Sequence, residues 1–113
     1  MPDHIRVYQA PGTWVVRAGG AVLAESRNAL ELVEGDRPPV IYFPRKDIAM
    51  AMIEPSATSS TCPHKGRASY HSIVIKSGTI RDAGWSYDEP DGNAARIGGH
   101  IAFYPDKVTI ERL

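Results

Sequence analysis

Glycine and proline interrupt this chain so often that few stretches between them leave room for an ordinary helix. Ten glycines and nine prolines are spread along 113 residues, and most runs between them are short and rich in β-branched or aromatic residues. Such punctuation favours short strands joined by turns. Ile5–Gln9 and Thr13–Arg17 alternate and, with Ala10-Pro11-Gly12 between them, read as a hairpin. Gly19-Gly20 then reverses the chain into Ala21–Ser26, which predicts a three-stranded meander. Val40–Phe43 reads as a buried strand stopped by Pro44. Tyr70–Ile75 and Thr79–Tyr87 form an antiparallel pair about Lys76-Ser77-Gly78. Gly98-Gly99 opens a further strand, His100–Tyr104; Pro105-Asp106-Lys107 breaks it, and alternation resumes over Val108–Arg112.

Five stretches read less simply. Leu30–Glu34 suits a strand or a short helix capped from Ser26-Arg27-Asn28, and so short a run does not decide between them. Pro44–Asp47 predicts one helical turn with proline at its start, and Asn93–Ile97 predicts another. Ile48–Ile53 is apolar throughout and reads better as extended, with Met50 and Met52 filling core. Glu54–Ser60 reads as a polar loop. The expectation is one domain over residues 1–113: mainly β, antiparallel, two sheets in a tent-like or barrel-like form with one or two helical turns.

Thirteen basic residues balance thirteen acidic ones, so no overall field is available to hold nucleic acid. No apolar run is long enough for a membrane helix. Met1-Pro2-Asp3-His4-Ile5 lacks the basic and apolar regions of a secretory leader, and the single cysteine excludes an internal disulfide framework. The expected location is the cytoplasm.

Chemistry concentrates in Thr61–Ser72, which holds Cys62, His64, Lys65, Arg67, Tyr70 and His71. Cys62-Pro63 keeps the chain extended and Gly66 permits a turn, so a polar loop runs into a rigid strand. The hairpin that follows brings Trp85 and Tyr87, two apart on one face, back to the level of this loop. Trp and Tyr rings offer flat apolar surface with a polar edge, suited to a planar ligand. The candidate ligand-binding residues are therefore Tyr42, Cys62, Lys65, Tyr70, Trp85, Tyr87 and Tyr104. Lys65 would anchor an anionic or polar end, with Arg45 and Arg67 as further contributors to an anion patch. Asp47 would pair with Lys65 or cap the turn at Arg45. Cys62 is the nucleophile candidate, with His64 or Lys65 to populate its thiolate. Trp14 reads chiefly as packing. The histidines show no HxH or HExxH spacing, so no metal site is predicted and no cofactor is called for.

Four blocks carry a resemblance: Tyr42-Phe43-Pro44-Arg45-Lys46-Asp47; Thr61-Cys62-Pro63-His64-Lys65-Gly66 with Ala68-Ser69-Tyr70; Trp85-Ser86-Tyr87 with Pro90; and Ile101-Ala102-Phe103-Tyr104-Pro105. In order and spacing they resemble the domain-of-unknown-function family numbered 427, small proteins found widely in bacteria. The resemblance implies a β-tent-like fold, two antiparallel sheets pinned at one edge. Other branches of that group bind zinc through paired CxxC motifs, which this sequence lacks. The family's nucleotidyltransferase-like label implies a glycine-serine loop and paired metal-binding aspartates, and neither occurs here. An aromatic cage for a small cyclic ligand, known in a related branch, is the analogy that Tyr70, Trp85, Tyr87 and Tyr104 best fit.

Three functions follow in order of support: a domain binding a small planar or anionic ligand, a protein-interaction or homo-oligomerisation module, and an enzyme using Cys62 as nucleophile.

Overall fold

The computed structural model describes residues 4–113; Met1-Pro2-Asp3, which entered the leader argument, lie outside them. Ten strands run in chain order: β1 (Ile5–Gln9), β2 (Trp14–Ala18), β3 (Ala21–Ser26), β4 (Leu30–Glu34), β5 (Val40–Phe43), β6 (Ile53–Cys62), β7 (Gly66–Ile75), β8 (Gly78–Tyr87), β9 (Ile101–Phe103) and β10 (Thr109–Arg112). They form two antiparallel sheets. The larger has seven strands in the order β1-β4-β5-β9-β8-β7-β6, and the smaller has three, β10-β2-β3. Each sheet keeps two edges, so the two-sheet form is realised and a closed barrel is not. The remaining regular structure is short 3-10 turns, among them Arg45–Asp47 and Gly92–Ile97, where helical turns were expected. Among the described residues no helix is long and apolar enough to cross a membrane.

The expected first hairpin does not form. β1 pairs with β4, from Ile5 opposite Glu34 to Gln9 opposite Leu30, while β2 pairs with β3 and β10. Ala10-Pro11-Gly12 is therefore a crossing from one sheet to the other. The return crossing passes Ala29, and the Ala10 N–H donates to the Ala29 carbonyl at 2.9 Å. Both alanines are fully buried, so this bond sews the two crossings together where the sheets meet. Alternation marks a strand but not its partner, and the misreading arose there.

Leu30–Glu34 resolves as strand because it gains partners on both sides, β1 and β5. The side chain of Ser26 is not a helix cap: its Oγ accepts the Asn28 N–H at 2.9 Å and donates to Asp47 Oδ2 at 2.6 Å. The latter bond also corrects the expected Asp47–Lys65 pair.

The extended reading of Ile48–Ile53 holds at its two ends, where Ile48 bridges Ala24 and Ile53 opens β6, and is overturned in the middle. Met50–Met52 forms a 3-10 turn, and only Ile53 is in a strand. Unbranched Met and Ala lack the β-branched bulk that favours a strand. The Ala49 N–H, donating to Leu23 O at 2.7 Å, hangs the turn beneath β3. Glu54–Ser60, expected as a loop, is most of β6. Its polarity reflects an exposed sheet edge, where Pro55 and a run of Ser and Thr are tolerated. The register slips between Pro55 and Ser59, bending that edge.

Two apolar cores result. One lies between the sheets and includes Val16, Leu23, Phe43, Ile73, Ile101 and Phe103. The other covers the outer face of the large sheet, where Ile5, Leu32, Tyr42, Tyr87 and Ala102 meet Ala94 and Ile97 of the Gly92–Ile97 turn.

Candidate functional site

The site grows from a register. Tyr70 of β7 lies opposite Trp85 of β8; Trp85 lies opposite Ala102 of β9; Ala102 lies opposite Tyr42 of β5. These four positions form one row across four strands. Ala102, fully buried and small, separates two large rings and lets them lean over it. Trp85 Nε1 donates to the Tyr42 hydroxyl at 3.2 Å, with the rings edge to face at 6.2 Å. Tyr104, two residues beyond Ala102, packs on the Trp85 ring at 4.5 Å between centroids. The Tyr70 hydroxyl shares a hydrogen bond with Ser60 Oγ at 3.0 Å, which fixes the row's far end.

Beside the row lies an ion-pair cluster. Lys65 sits in the turn from Cys62 to Gly66, closed by a Lys65 N–H to Cys62 carbonyl bond of 3.3 Å. Its Nζ donates to Glu34 Oε1 at 2.7 Å, and both side chains are nine-tenths buried. The same ammonium stands 5.7 Å from the Tyr87 ring centre. Arg37 approaches Glu34 at 3.9 Å with its own side chain 76% exposed, and His4 Nε2 lies 3.5 Å from Glu34 Oε2. Burial works to raise the Glu34 carboxyl, but the hydrogen bond and charge of Lys65, then Arg37 and His4, outweigh it and hold it below its ordinary value. The tyrosines move the other way. Burial pushes Tyr42 and Tyr87 well up, and burial with the neighbouring Tyr70 lifts Tyr104 to about 12. At neutral pH they are phenols able to donate hydrogen bonds.

These groups wall a cleft of about 800 Å³. Tyr42, Lys65, Tyr70, Trp85, Tyr87 and Tyr104 all line it. Cys62 does not; it is half-buried and packs against the outer core. No hydrogen bond joins its thiol to His64 or Lys65 among the described residues, and the His64 ring instead meets His4 edge to face at 5.4 Å. The expected anion patch does not assemble at the cleft. Arg45 donates to the Gly99 carbonyl at 2.6 Å and to Ser86, while Arg67 is exposed away from the cleft wall. His71 lies on the opposite face from Tyr70, buried, with Nε2 2.8 Å from Ser86 Oγ. Burial, then Arg45, lowers its imidazole's proton affinity against the pull of Asp88. Among the described residues no group of three His, Cys, Asp or Glu side chains is arranged to hold a metal.

The wall also contains Trp14, Glu31, Glu34, Arg37 and Ile110, none of which was singled out for ligand contact from sequence beyond a minor part for Trp14. Glu34 and Arg37 frame the turn between β4 and β5, and Glu34 meets Lys65, thirty-one residues away in the turn between β6 and β7. No local signal in the sequence marks that meeting.

A family model described as Domain of unknown function (DUF427) matches residues 6–113. The chain belongs to the DUF427 family. No curated protein matches it. The match covers every strand of the cleft wall, so the row of rings and the Lys65, Glu34 and Arg37 members of the ion-pair cluster lie within the matched DUF427 region, and His4 lies just before it. Of the two glutamates in this DUF427 cleft, Glu34 is committed to Lys65, which leaves Glu31 as the carboxylate without an ion pair among the described residues.

Proposed function

We propose that this DUF427 protein is a cytoplasmic binding domain for a small planar molecule that carries an anionic or polar end. The observation that carries the reading is the tilted stack of Tyr104 on Trp85 within one open cleft, with Trp85 held in turn by Tyr42. Such a surface accepts a flat ring at little cost, because the rings are fixed before the ligand arrives. A cavity of this size falls within the range of roughly 300–1,000 Å³ usual for small-molecule sites.

The charge at the Lys65 end refines the ligand. Lys65 and Glu34 cancel each other, and Arg37 remains as an exposed cation at the rim. A carboxylate or phosphate on the ligand is therefore met by Arg37, with Lys65 shaping the floor rather than serving as the free anchor. Cys62, lying outside the cleft wall, weighs against thiol catalysis as the main activity. The exposed large apolar side chains Tyr8, Val22, Val74 and Leu113 lie on separate elements, which weighs against an interaction face. The lone thiol suits a reducing compartment.

Native mass spectrometry of freshly purified protein tests the reading, followed by thermal-shift screening with planar carboxylates. A retained adduct or a melting temperature that rises with ligand, both lost in Trp85→Ala, is the expected result. A stable dimer with no adduct and no response to any planar carboxylate would overturn it.

A further inference from the structure

The wall of the cleft draws on both faces of the large sheet. Leu32, Tyr42 and Tyr87 belong to the outer core, whereas Phe103 belongs to the core between the sheets. Trp14, Ile41 and Ile110 pack against that inner core. Glu31 stands opposite Ile41 in register and so projects to the inner side as well. One cavity reaches both faces only by passing round an end of the sheet. The register identifies that end. Tyr42 faces Ala102, so the next positions outward are Ile41 beside Phe103, where β9 stops, and then Val40 beside Tyr104, where β5 begins. Pro38 and Pro39 form the rim there, exposed and lining the cleft.

The cleft thus has two lobes. The outer lobe is the aromatic row with Arg37 at its mouth. The inner lobe is apolar, built from Trp14, Ile41, Phe103 and Ile110, and carries Glu31. Trp14 is held in place by its Nε1, which donates to the Pro11 carbonyl at 3.1 Å. Glu31 is partly buried and makes no ion pair among the described residues, so the inner lobe joins an unpaired carboxylate and the Trp14 indole in one wall. A carboxylate and an aromatic face together select a cation.

Building on the reading above, we propose that the ligand is elongated: a planar, anion-ended head lies on Trp85 and Tyr104, and an apolar arm passes round the start of β5 into the Trp14–Ile110 lobe, ending in a cationic amine at Glu31. The small sheet is then part of the site, since it supplies Trp14 and Ile110 to the second lobe.

Titration calorimetry with three probes tests this: naphthoate, its butoxy derivative and its aminobutoxy derivative. The butoxy arm should tighten binding about tenfold through apolar burial, and the terminal amine about fivefold more. Ile110→Trp should fill the inner lobe and remove the gain that each arm adds over naphthoate in the same variant. Glu31→Gln, at a partly exposed position that tolerates the change, should remove only the amine's gain and carries the test should Ile110→Trp not fold. If naphthoate binds but neither arm adds affinity, the second lobe is refuted; if the amine's gain survives Glu31→Gln, the amine's seat at Glu31 is refuted; in both cases the aromatic reading stands. If no probe binds at millimolar concentration, the aromatic reading fails and this proposal falls with it.

Discussion

At the scale of single residues, Glu34 holds the most consequential position. It is buried among three basic side chains, and its strongest bond, to Lys65, spans two elements far apart in sequence. Removing one partner of such a pair leaves an uncompensated buried charge, which typically costs about 3 to 5 kcal/mol. Lys65→Met should therefore destabilise strongly in urea titration, and adding Glu34→Leu should recover most of the loss, because two apolar groups satisfy each other. A double variant no more stable than Lys65→Met would show that the ion pair is not the cause. The pair also sets an acid limit. The Glu34 carboxyl is held below its ordinary value of 4.5 in the folded protein, so its stabilisation is complete above that value and is lost as pH falls through the lower, folded value. Glu34→Gln should flatten this part of the stability curve when urea midpoints are compared from neutral pH down to about pH 3. An unchanged slope would remove Glu34 from the acid transition.

At the scale of elements, the site depends on a small residue between large ones. Ala102 lies under the Trp85–Tyr42 contact, and Gly84, opposite Phe103, gives β9 room on its neighbour; a Cβ at Gly84 would come within 2.8 Å of the Ala102 carbonyl. Ala102→Leu should part the two rings, break the Trp85 Nε1 bond and cost about 1–3 kcal/mol through overpacking. Its readout is the tryptophan spectrum: the near-ultraviolet circular dichroism of Trp85 should weaken while far-ultraviolet signal persists. Preserved aromatic dichroism would mean that Ala102 does not set the ring geometry. Much at this scale was legible beforehand. The Lys76-Ser77-Gly78 turn pairs β7 with β8, so the approach of Tyr70, Trp85 and Tyr87 follows from one hairpin. Tyr42 and Tyr104 were placed with them on their chemistry and are carried there by β9. What misled was local character taken as conformation: the polar run Glu54–Ser60 is an edge strand, and the apolar run Ile48–Ile53 is mostly a tucked turn.

At the scale of the molecule, the obscure part was which strand meets which. Ile5–Gln9 reads as a strand from its own residues, but its partner β4 becomes available only after the chain has visited the other sheet, and the Glu31, Glu34 and Arg37 contribution to the cleft depends on that crossing. Trp14, which reads as packing, reaches the cleft because the small sheet closes over the inner core. The sheets are bound to each other by that core and by the buried Ala10 N–H to Ala29 carbonyl bond. They should consequently unfold as one unit. The chain has two tryptophans, Trp14 in the small sheet and Trp85 in the large one, so Trp85→Phe and Trp14→Phe each leave a reporter for one sheet. Their urea transitions, each compared with circular dichroism of the same variant, should coincide. Ala10→Pro deletes the donor at the crossing and leaves the Ala29 carbonyl buried without it, at a cost of about 1–3 kcal/mol. Introduced into each reporter, it should move both transitions by the same amount. If instead the Trp14 signal is lost first while Trp85 stays native, the small sheet docks as a separate unit, and the inner core is too weak to hold the two together.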